Sequence, residues 1–523
     1  MRKLPIGIQD FEKIRQNDFI YADKTKYIYD LVQSGAPYFL SRPRRFGKSL
    51  LLSTMRYYLE GRRELFKGLA IETLEGDGED TWQEYPVFYI DFNSGNYMEN
   101  NELEAVIDGH LRNWEAIYGS DPANTTFALR FEYLIRTAAQ KIGHKVAVLV
   151  DEYDKPLLEC PSHLDEHNRG IYKGFFGVLK KNDSYLKFVF ITGVTKFTKV
   201  SIFSDLNQLE DISMDREYSG ICGITEREID DCLKPDLERL AANNDMNTDD
   251  CYAELARMYD GYHFAPDSEG VYNPFSLLNA FKKSVFGSYW FESGTPTFLI
   301  ERMKETGFDF KTITDGSIER SLKELMDYRT DNGDMVPLLY QSGYLTIKEY
   351  DREFDSCVLT YPNEEVRYGL VEALAPTVLY RDKGTDPLDI RSFVRDLRRA
   401  DTDGIRDRFK ALFAGLPYSS QADADKAYVE RDFQNVIYVV FLLMGQYVTV
   451  ERHTALGRAD AIVECDDYVY IFEFKRDSSA EEALKQIEDM GYAAPYAADP
   501  RTLIRVGASF SSEPHTLDEW ITG

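Results

Sequence analysis

The segment Ser41-Arg42-Pro43-Arg44-Arg45-Phe46-Gly47-Lys48-Ser49-Leu50 follows a short apolar run, Pro37-Tyr38-Phe39-Leu40, and opens an amphipathic stretch from Ser49 to Glu60. Few patterns constrain a fold more. A buried strand must end, the chain must turn, and a helix must begin within a few residues. Backbone N–H groups at such a helix start, with the positive end of its dipole, suit anionic oxygens. Lys48 adds a full charge for β- and γ-phosphates, and the Ser49 hydroxyl suits Mg2+. Arg44, Arg45, Phe46, Gly47 and Leu50 complete the candidate nucleotide-binding set. One position departs from the usual pattern. The residue six before Lys48 is Arg42 where glycine is expected. Arg42-Pro43 must therefore turn without glycine's backbone freedom.

A second strand should carry acids to the same place. Val146 to Val150 is an unbroken apolar run that ends in Asp151-Glu152. Asp151 is expected to hold Mg2+ through its water shell, and Glu152 to polarise the attacking water. An apolar run ending in two acids is common in any α/β fold, and gains weight from the loop before it. Thr192, after Phe188 to Ile191, sits where a polar group could touch a γ-phosphate. A Thr-Gly strand end also needs no ligand.

Pro86 to Asp91 and Phe188 to Ile191 read as further buried strands. Helical patterns lie between them at 49–60, 102–118, 127–141 and 170–181. Strands alternating with helices predict a mainly parallel sheet covered on both faces.

These residues resemble the AAA-ATPase-like family of bacterial and archaeal proteins. The likeness rests on Tyr21-Ala22-Asp23-Lys24-Thr25, the Arg-Pro-Arg-Arg-Phe-Gly-Lys-Ser loop, Asp151-Glu152-Tyr153-Asp154-Lys155-Pro156 and Phe190-Ile191-Thr192-Gly193-Val194-Thr195-Lys196. It covers about residues 1–210. Arg42 is typical of that family's loop. The resemblance implies a P-loop NTPase fold and ATP in preference to GTP.

Charge sharpens the picture. Residues 1–70 carry 14 Lys/Arg against 7 Asp/Glu, while the whole chain is at −28, which leaves −35 for the rest. So acidic a chain repels phosphate in general and is no general nucleic-acid coat. The basic N-terminal region is either a face paired with the acidic remainder or a phosphate site. No apolar run approaches the ~18 residues that span a bilayer; the longest, Val436 to Met444, has nine. Six scattered cysteines without a C-x-x-C pair predict reduced thiols and a cytoplasmic setting, with no membrane partner.

Residues 215–400 read as mostly helical, with room for a small winged or lid-like unit. The aromatic clusters Tyr259 to Phe264 and Tyr272 to Phe275 read as packing knots between helices. A long helix, 427–444, then precedes strand signals at 447–451, 459–464 and 468–474, a helix at 480–490 and a final strand at 503–506.

The second constellation is Gly457-Arg458-Ala459-Asp460, then Phe472-Glu473-Phe474-Lys475 on the next strand. Alternation puts Glu473 and Lys475 on one face, with Phe472 and Phe474 toward the core. A hairpin through Cys465-Asp466-Asp467 can bring Asp460 beside Glu473. Two carboxylates suit a hard cation, Mg2+ or Mn2+. Lys475 would orient or help deprotonate a water, and the metal would stabilise charge on a scissile phosphate. Glu430, on the preceding helix, is a further candidate ligand, and Gln486 a candidate for positioning. Glu-x-Lys alone is a common surface ion pair. The whole arrangement resembles the PD-(D/E)xK nuclease superfamily over about residues 425–510. Residues 426–512 carry 9 Lys/Arg and 14 Asp/Glu, so nucleic acid would need help from elsewhere.

The expected architecture is α/β: a P-loop NTPase sheet with flanking helices at 1–214, a helical lid or winged region at 215–420, and a restriction-endonuclease-like domain at 421–523. The expected function is ATP binding and hydrolysis coupled to metal-dependent cleavage of DNA or RNA. A nucleotide switch or scaffold that binds without cutting, and an ATPase motor acting on protein, are the rivals. A homo-oligomer or a protein partner stays open.

Overall fold

The computed structural model describes residues 3–78, 81–196, 209–291, 297–306, 318–328, 333–378, 389–414, 436–437, 439–445, 449–451, 459–512 and 515–523. The chain forms two compact units, one reaching Arg367 and the other running from Tyr368 to the end.

The first unit is built on a five-stranded parallel sheet. Its strands are β1 (Pro37–Ser41), β2 (Val87–Asp91), β3 (Val146–Asp151), β4 (Leu186–Gly193) and β5 (Glu210–Asp211). Their order is β2-β3-β4-β1-β5. Every residue of β3 is buried, as expected of a strand covered on both faces. Register brings the strand ends together: Ser41 lies beside Gly193, and Asp91 beside Asp151. Chemistry-bearing residues thus gather at the carboxyl edge, where open α/β sheets hold ligands.

Helices Lys48–Leu59, Glu102–Tyr118, Phe127–Ile142 and Ser162–Lys181 accompany the sheet. The last starts eight residues before the expected Gly170, with Pro161 at its N-cap. His163 and His167 therefore sit in helix, and His167 Nε2 pairs with Glu104 at 2.6 Å.

The rest of this unit is helical around a core of Ile229, Leu237, Leu255, Tyr259, Leu277 and Phe281, with Ile20 joining from the N-terminal segment. It also holds a sheet that the sequence reading did not specify: β6 (Glu319–Ser321), β7 (Thr346–Asp351) and β8 (Ser356–Thr360), antiparallel in the order β6-β8-β7.

The second unit carries β9 (Thr449–Glu451), β10 (Ala461–Glu464), β11 (Tyr468–Arg476), β12 (Thr502–Ser512) and β13 (His515–Thr522), in the order β13-β12-β11-β10-β9. Only β11 and β12 pair in parallel, joined through helix Ala480–Asp489. The expected final strand, 503–506, is too short, and β13 lies beyond it. The cause is Gly507. Small residues read as a strand end, yet a Cβ there would overlap the Ala480 carbonyl, so close helix packing demands glycine inside β12. Of the helix expected at 427–444, residues 436–437 and 439–444 are helical. The remainder, Glu430 included, lies outside the described residues. No described helix is long and apolar enough to cross a membrane, and none of the six cysteines is in a disulfide.

Candidate functional site

The loop between β1 and helix Lys48–Leu59 turns on two left-handed residues, Arg45 at φ +69° and Gly47 at φ +94°. Lys48 is buried. Its Nζ donates to the carbonyls of Arg42 and Pro43 at 3.0 and 3.1 Å, and stands 3.8 Å from Glu152 Oε1. Arg44 and Arg45 are exposed, and Leu50 lines the same cavity as Lys48.

Arg42 faces away from this pocket. Its guanidinium donates to the carbonyls of Ser41 at 2.8 Å, Ser213 at 2.7 Å and Tyr218 at 3.0 Å. It also stacks on the Phe264 ring at 4.1 Å. Burial lowers its pKa to about 10. Tertiary clamping does here what glycine's backbone freedom does elsewhere. Other cations of the N-terminal region pair with acids, as in Lys26–Asp30, Arg56–Glu60 and Arg62–Glu12. These acids belong to the same N-terminal region and not to the acidic remainder of the chain.

Asp151 is buried at the end of β3 and hydrogen-bonds the Ser49 hydroxyl. Thr192 Oγ1 donates to Asp151 Oδ1 at 2.9 Å. Thr192 is fully buried, so its hydroxyl serves the carboxylate beside it. Burial and then the Glu152 charge raise the Asp151 pKa. Glu152 itself adopts φ +53°, a costly conformation for this residue type that surrounding contacts must hold. Asp154 supplies several. Its Oδ2 accepts from Val194 N at 3.0 Å, Thr195 N at 2.6 Å and Thr195 Oγ1 at 2.9 Å. The Tyr153 hydroxyl adds a bond to the Thr195 carbonyl at 2.8 Å. The acidic turn is thus stapled to the end of β4.

Aromatic residues from the middle region close over the loop. Phe46 meets Tyr262 and Phe264 edge-on at 4.7 and 5.4 Å. Arg45 lies over Phe275 at 5.1 Å, and Trp290 Nε1 donates to the Arg44 carbonyl at 3.2 Å. A Cβ at Gly343 would fall 2.6 Å from Pro43 Cγ. Between these walls lies a cavity of about 1180 Å³ lined by Lys48, Ser49, Glu152, Phe275, Trp290 and Tyr344. The knots predicted at 259–264 and 272–275 are packing, but against the phosphate loop as well as between helices. Sequence reading missed Arg42's anchoring role and Trp290 altogether. The one available signal was the density of aromatics in these clusters.

In the second unit, Ala461 pairs with Phe472 across β10 and β11. One further antiparallel step puts Asp460 opposite Glu473. Asp460 Oδ2 accepts from Phe474 N at 2.8 Å, and the Asp460 amide donates to the Glu473 carboxylate. On β11, Tyr470 and Phe472 belong to one core and Val469 and Ile471 to another. Glu473 and Lys475 continue the face of Val469 and Ile471. Lys475 Nζ reaches Glu473 Oε1 at 3.3 Å and also hydrogen-bonds Gln486 Oε1. Burial, then the Asp460 charge, push Glu473 up to about 7. Its Oε2 is buried without a hydrogen-bond partner.

An orphaned carboxylate oxygen facing a second carboxylate is the donor set a hard divalent cation takes. Among the described residues no group of three or more His, Cys, Asp or Glu could hold a metal. Glu430, expected as a third ligand, lies outside them.

Two family models match this chain: one described as "Predicted AAA-ATPase" over residues 5–203, and the PD-(D/E)XK nuclease superfamily over 429–520. A relative from Azotobacter chroococcum mcd 1, described as "Uncharacterized protein in vnfD 5'region", is 37% identical over 530 residues. That alignment spans 99% of this chain and 98% of the relative. The chain belongs to the AAA-ATPase-like family. The likeness to the relative runs through both units of this AAA-ATPase-like protein. ATPase-family and nuclease-superfamily regions therefore occur in one chain, with the loop and acidic turn in the first and the Asp460–Glu473 pair in the second.

Proposed function

We propose that this AAA-ATPase-like protein binds and hydrolyses ATP in its first unit and cleaves phosphodiester bonds of DNA or RNA in its second, with nucleotide state governing cleavage. The nuclease reading is carried by the apposition of Asp460 and Glu473 beside Lys475. A buried carboxyl held beside a second carboxylate, its pKa raised toward 7, is the kind of perturbed pair that marks a functional site.

In the first unit, Lys48 and the loop amides hold phosphate oxygens. Ser49 and Asp151, already hydrogen-bonded to each other, are the groups that would hold Mg2+. Glu152 polarises the attacking water, and Thr192 keeps Asp151 oriented. In the second, Asp460 and Glu473 would hold Mg2+ or Mn2+, which when bound neutralises charge developing on the scissile phosphate. Lys475, steadied by Glu473 and Gln486, holds a proton beside the attacking water. A reduced, cytoplasmic setting suits six cysteines that form no disulfide.

A scaffold that binds nucleic acid or protein without cutting is the alternative, favoured by the excess of acids over bases in residues 426–512. One experiment separates them. Purified full-length protein is offered single- and double-stranded DNA and RNA, with and without ATP and with Mg2+, Mn2+ or EDTA. Metal-dependent cuts that vanish in Lys475→Ala support the nuclease. Binding without cuts under every condition supports the scaffold.

A further inference from the structure

Helix Glu364–Val378 begins in the first unit, and its residues from Tyr368 onward belong to the second. Its first turn is fastened to the phosphate loop by two separate lines of contact. In one, the Trp290 indole donates to the Arg44 carbonyl at 3.2 Å. The amides of Tyr289 and Trp290 then donate to a single oxygen, Glu365 Oε1, at 2.5 and 2.8 Å. Glu365 is 1% exposed. In the other, the Phe46 ring packs on Tyr262, the neighbouring Gly261 is pressed against the Pro362 carbonyl, and the Asp260 carbonyl accepts from Asn363 Nδ2 at 2.7 Å. Asn363 in turn caps the helix by accepting from Val366 N at 3.0 Å.

Glu365 does not line the cavity, whereas Trp290 does, so Glu365 bears on the cavity only through its neighbours. This geometry ties the main chain of the loop to the helix start. Gly261 has φ +87° and no room for a Cβ, so this close approach requires glycine. A buried carboxylate holding two amides is rigid, because releasing either strands a polar group away from water.

We propose that Glu365 is a positioning residue of the nucleotide site: through Trp290 it sets the Arg44 carbonyl, so occupancy of the loop and the order of the helix beginning at Glu364 are coupled. The inference rests on the ATP reading above and adds the element that senses it. Coupling of this kind is reciprocal. Weakening the chain of bonds lowers ATP affinity, and ATP steadies the first turns of the helix.

The test uses full-length protein, ATP with Mg2+, calorimetry, steady-state kinetics and amide hydrogen exchange over residues 364–370. In the parent, saturating ATP slows exchange in that segment. Glu365→Leu keeps much of the side chain's bulk but removes the acceptor oxygens, and Trp290→Phe keeps a ring but loses the N–H. Each is expected to weaken ATP binding roughly fivefold, the worth of one hydrogen bond, to raise KM more than it lowers kcat, and to lose the ATP-dependent protection. Trp290→Phe leaves the Glu365 carboxylate in place, so its loss of ATP-dependent protection at 364–370 decides if Glu365→Leu fails to fold; its affinity alone does not, because Trp290 also lines the cavity. Parent protein that binds ATP with no change in exchange at 364–370 overturns the inference and leaves the ATP site standing. So do variants with parental affinity and protection. Parent protein that binds no ATP overturns both.

Discussion

Asp460 and Glu473 are held side by side by the main chain itself: Phe474 N donates to Asp460, and Asp460 N donates to Glu473. Neither carboxylate can swing away without giving up a bond. Asp460→Ala should therefore reduce Mg2+ or Mn2+ affinity by an order of magnitude or more, as loss of one carboxylate from a small ligand set implies. Cleavage should stop while ATP hydrolysis continues at the parental rate. Metal titration by calorimetry, with cleavage and phosphate-release assays on the same sample, checks this. Cleavage that survives the substitution means that another centre does the cutting.

Lys48→Ala should leave the melting temperature close to the parent's and weaken ATP binding roughly a hundredfold, about 3 kcal/mol. Lys48 Nζ is buried and held in the loop by the Arg42 and Pro43 carbonyls, near Glu152, which fixes its charge where an anion would bind. Calorimetry with ATP decides. Parental affinity would remove the loop from the mechanism.

Glu152→Gln should bind ATP normally and turn it over at about 10²- to 10⁴-fold lower rate, the usual worth of a positioned general base. The amide preserves shape at a position already strained to φ +53°. Single-turnover hydrolysis separates chemistry from binding. An unchanged rate would move the role to another carboxylate.

Asp154 gives a pH signature. Burial, then Glu152, raise its pKa from 3.8 to about 6. The folded state thus holds this proton more tightly than the unfolded one. Its contribution to stability is full below pH 4 and falls as pH rises toward 6, by at most on the order of 3 kcal/mol. Asp154→Asn should lack that slope. The difference between variant and parent melting curves across pH 4–7 isolates it from other groups. Parallel curves would contradict the raised pKa.

What the sequence disclosed was mostly local. β3 is legible because five apolar residues precede Asp151 in a strand with two buried faces. β11 is legible because Tyr470 and Phe472 alternate with Val469 and Ile471. Gly507 hid the length of β12, since its cause is a helix lying against the strand. The short strands β6 to β8 were hidden among helices. Within the candidate sites, the Asp460–Glu473 apposition follows from hairpin register, a short-range property. Arg42's partners Ser213 and Tyr218 lie more than 170 residues away, and Trp290 lies 246 residues from Arg44. No periodicity encodes contacts at that separation.

Arg42 has a consequence for where this protein can be divided. A fragment ended at residue 203, where the ATPase family match stops, keeps the loop but loses Ser213, Tyr218 and Phe264. Its guanidinium would then have to seek water in place of main-chain carbonyls, and Lys48 would lose a fixed platform. A piece that extends to Arg367, where the first unit reaches, keeps all three of these partners. The compact unit around the loop is therefore longer than the stretch that bears the ATPase family's signature.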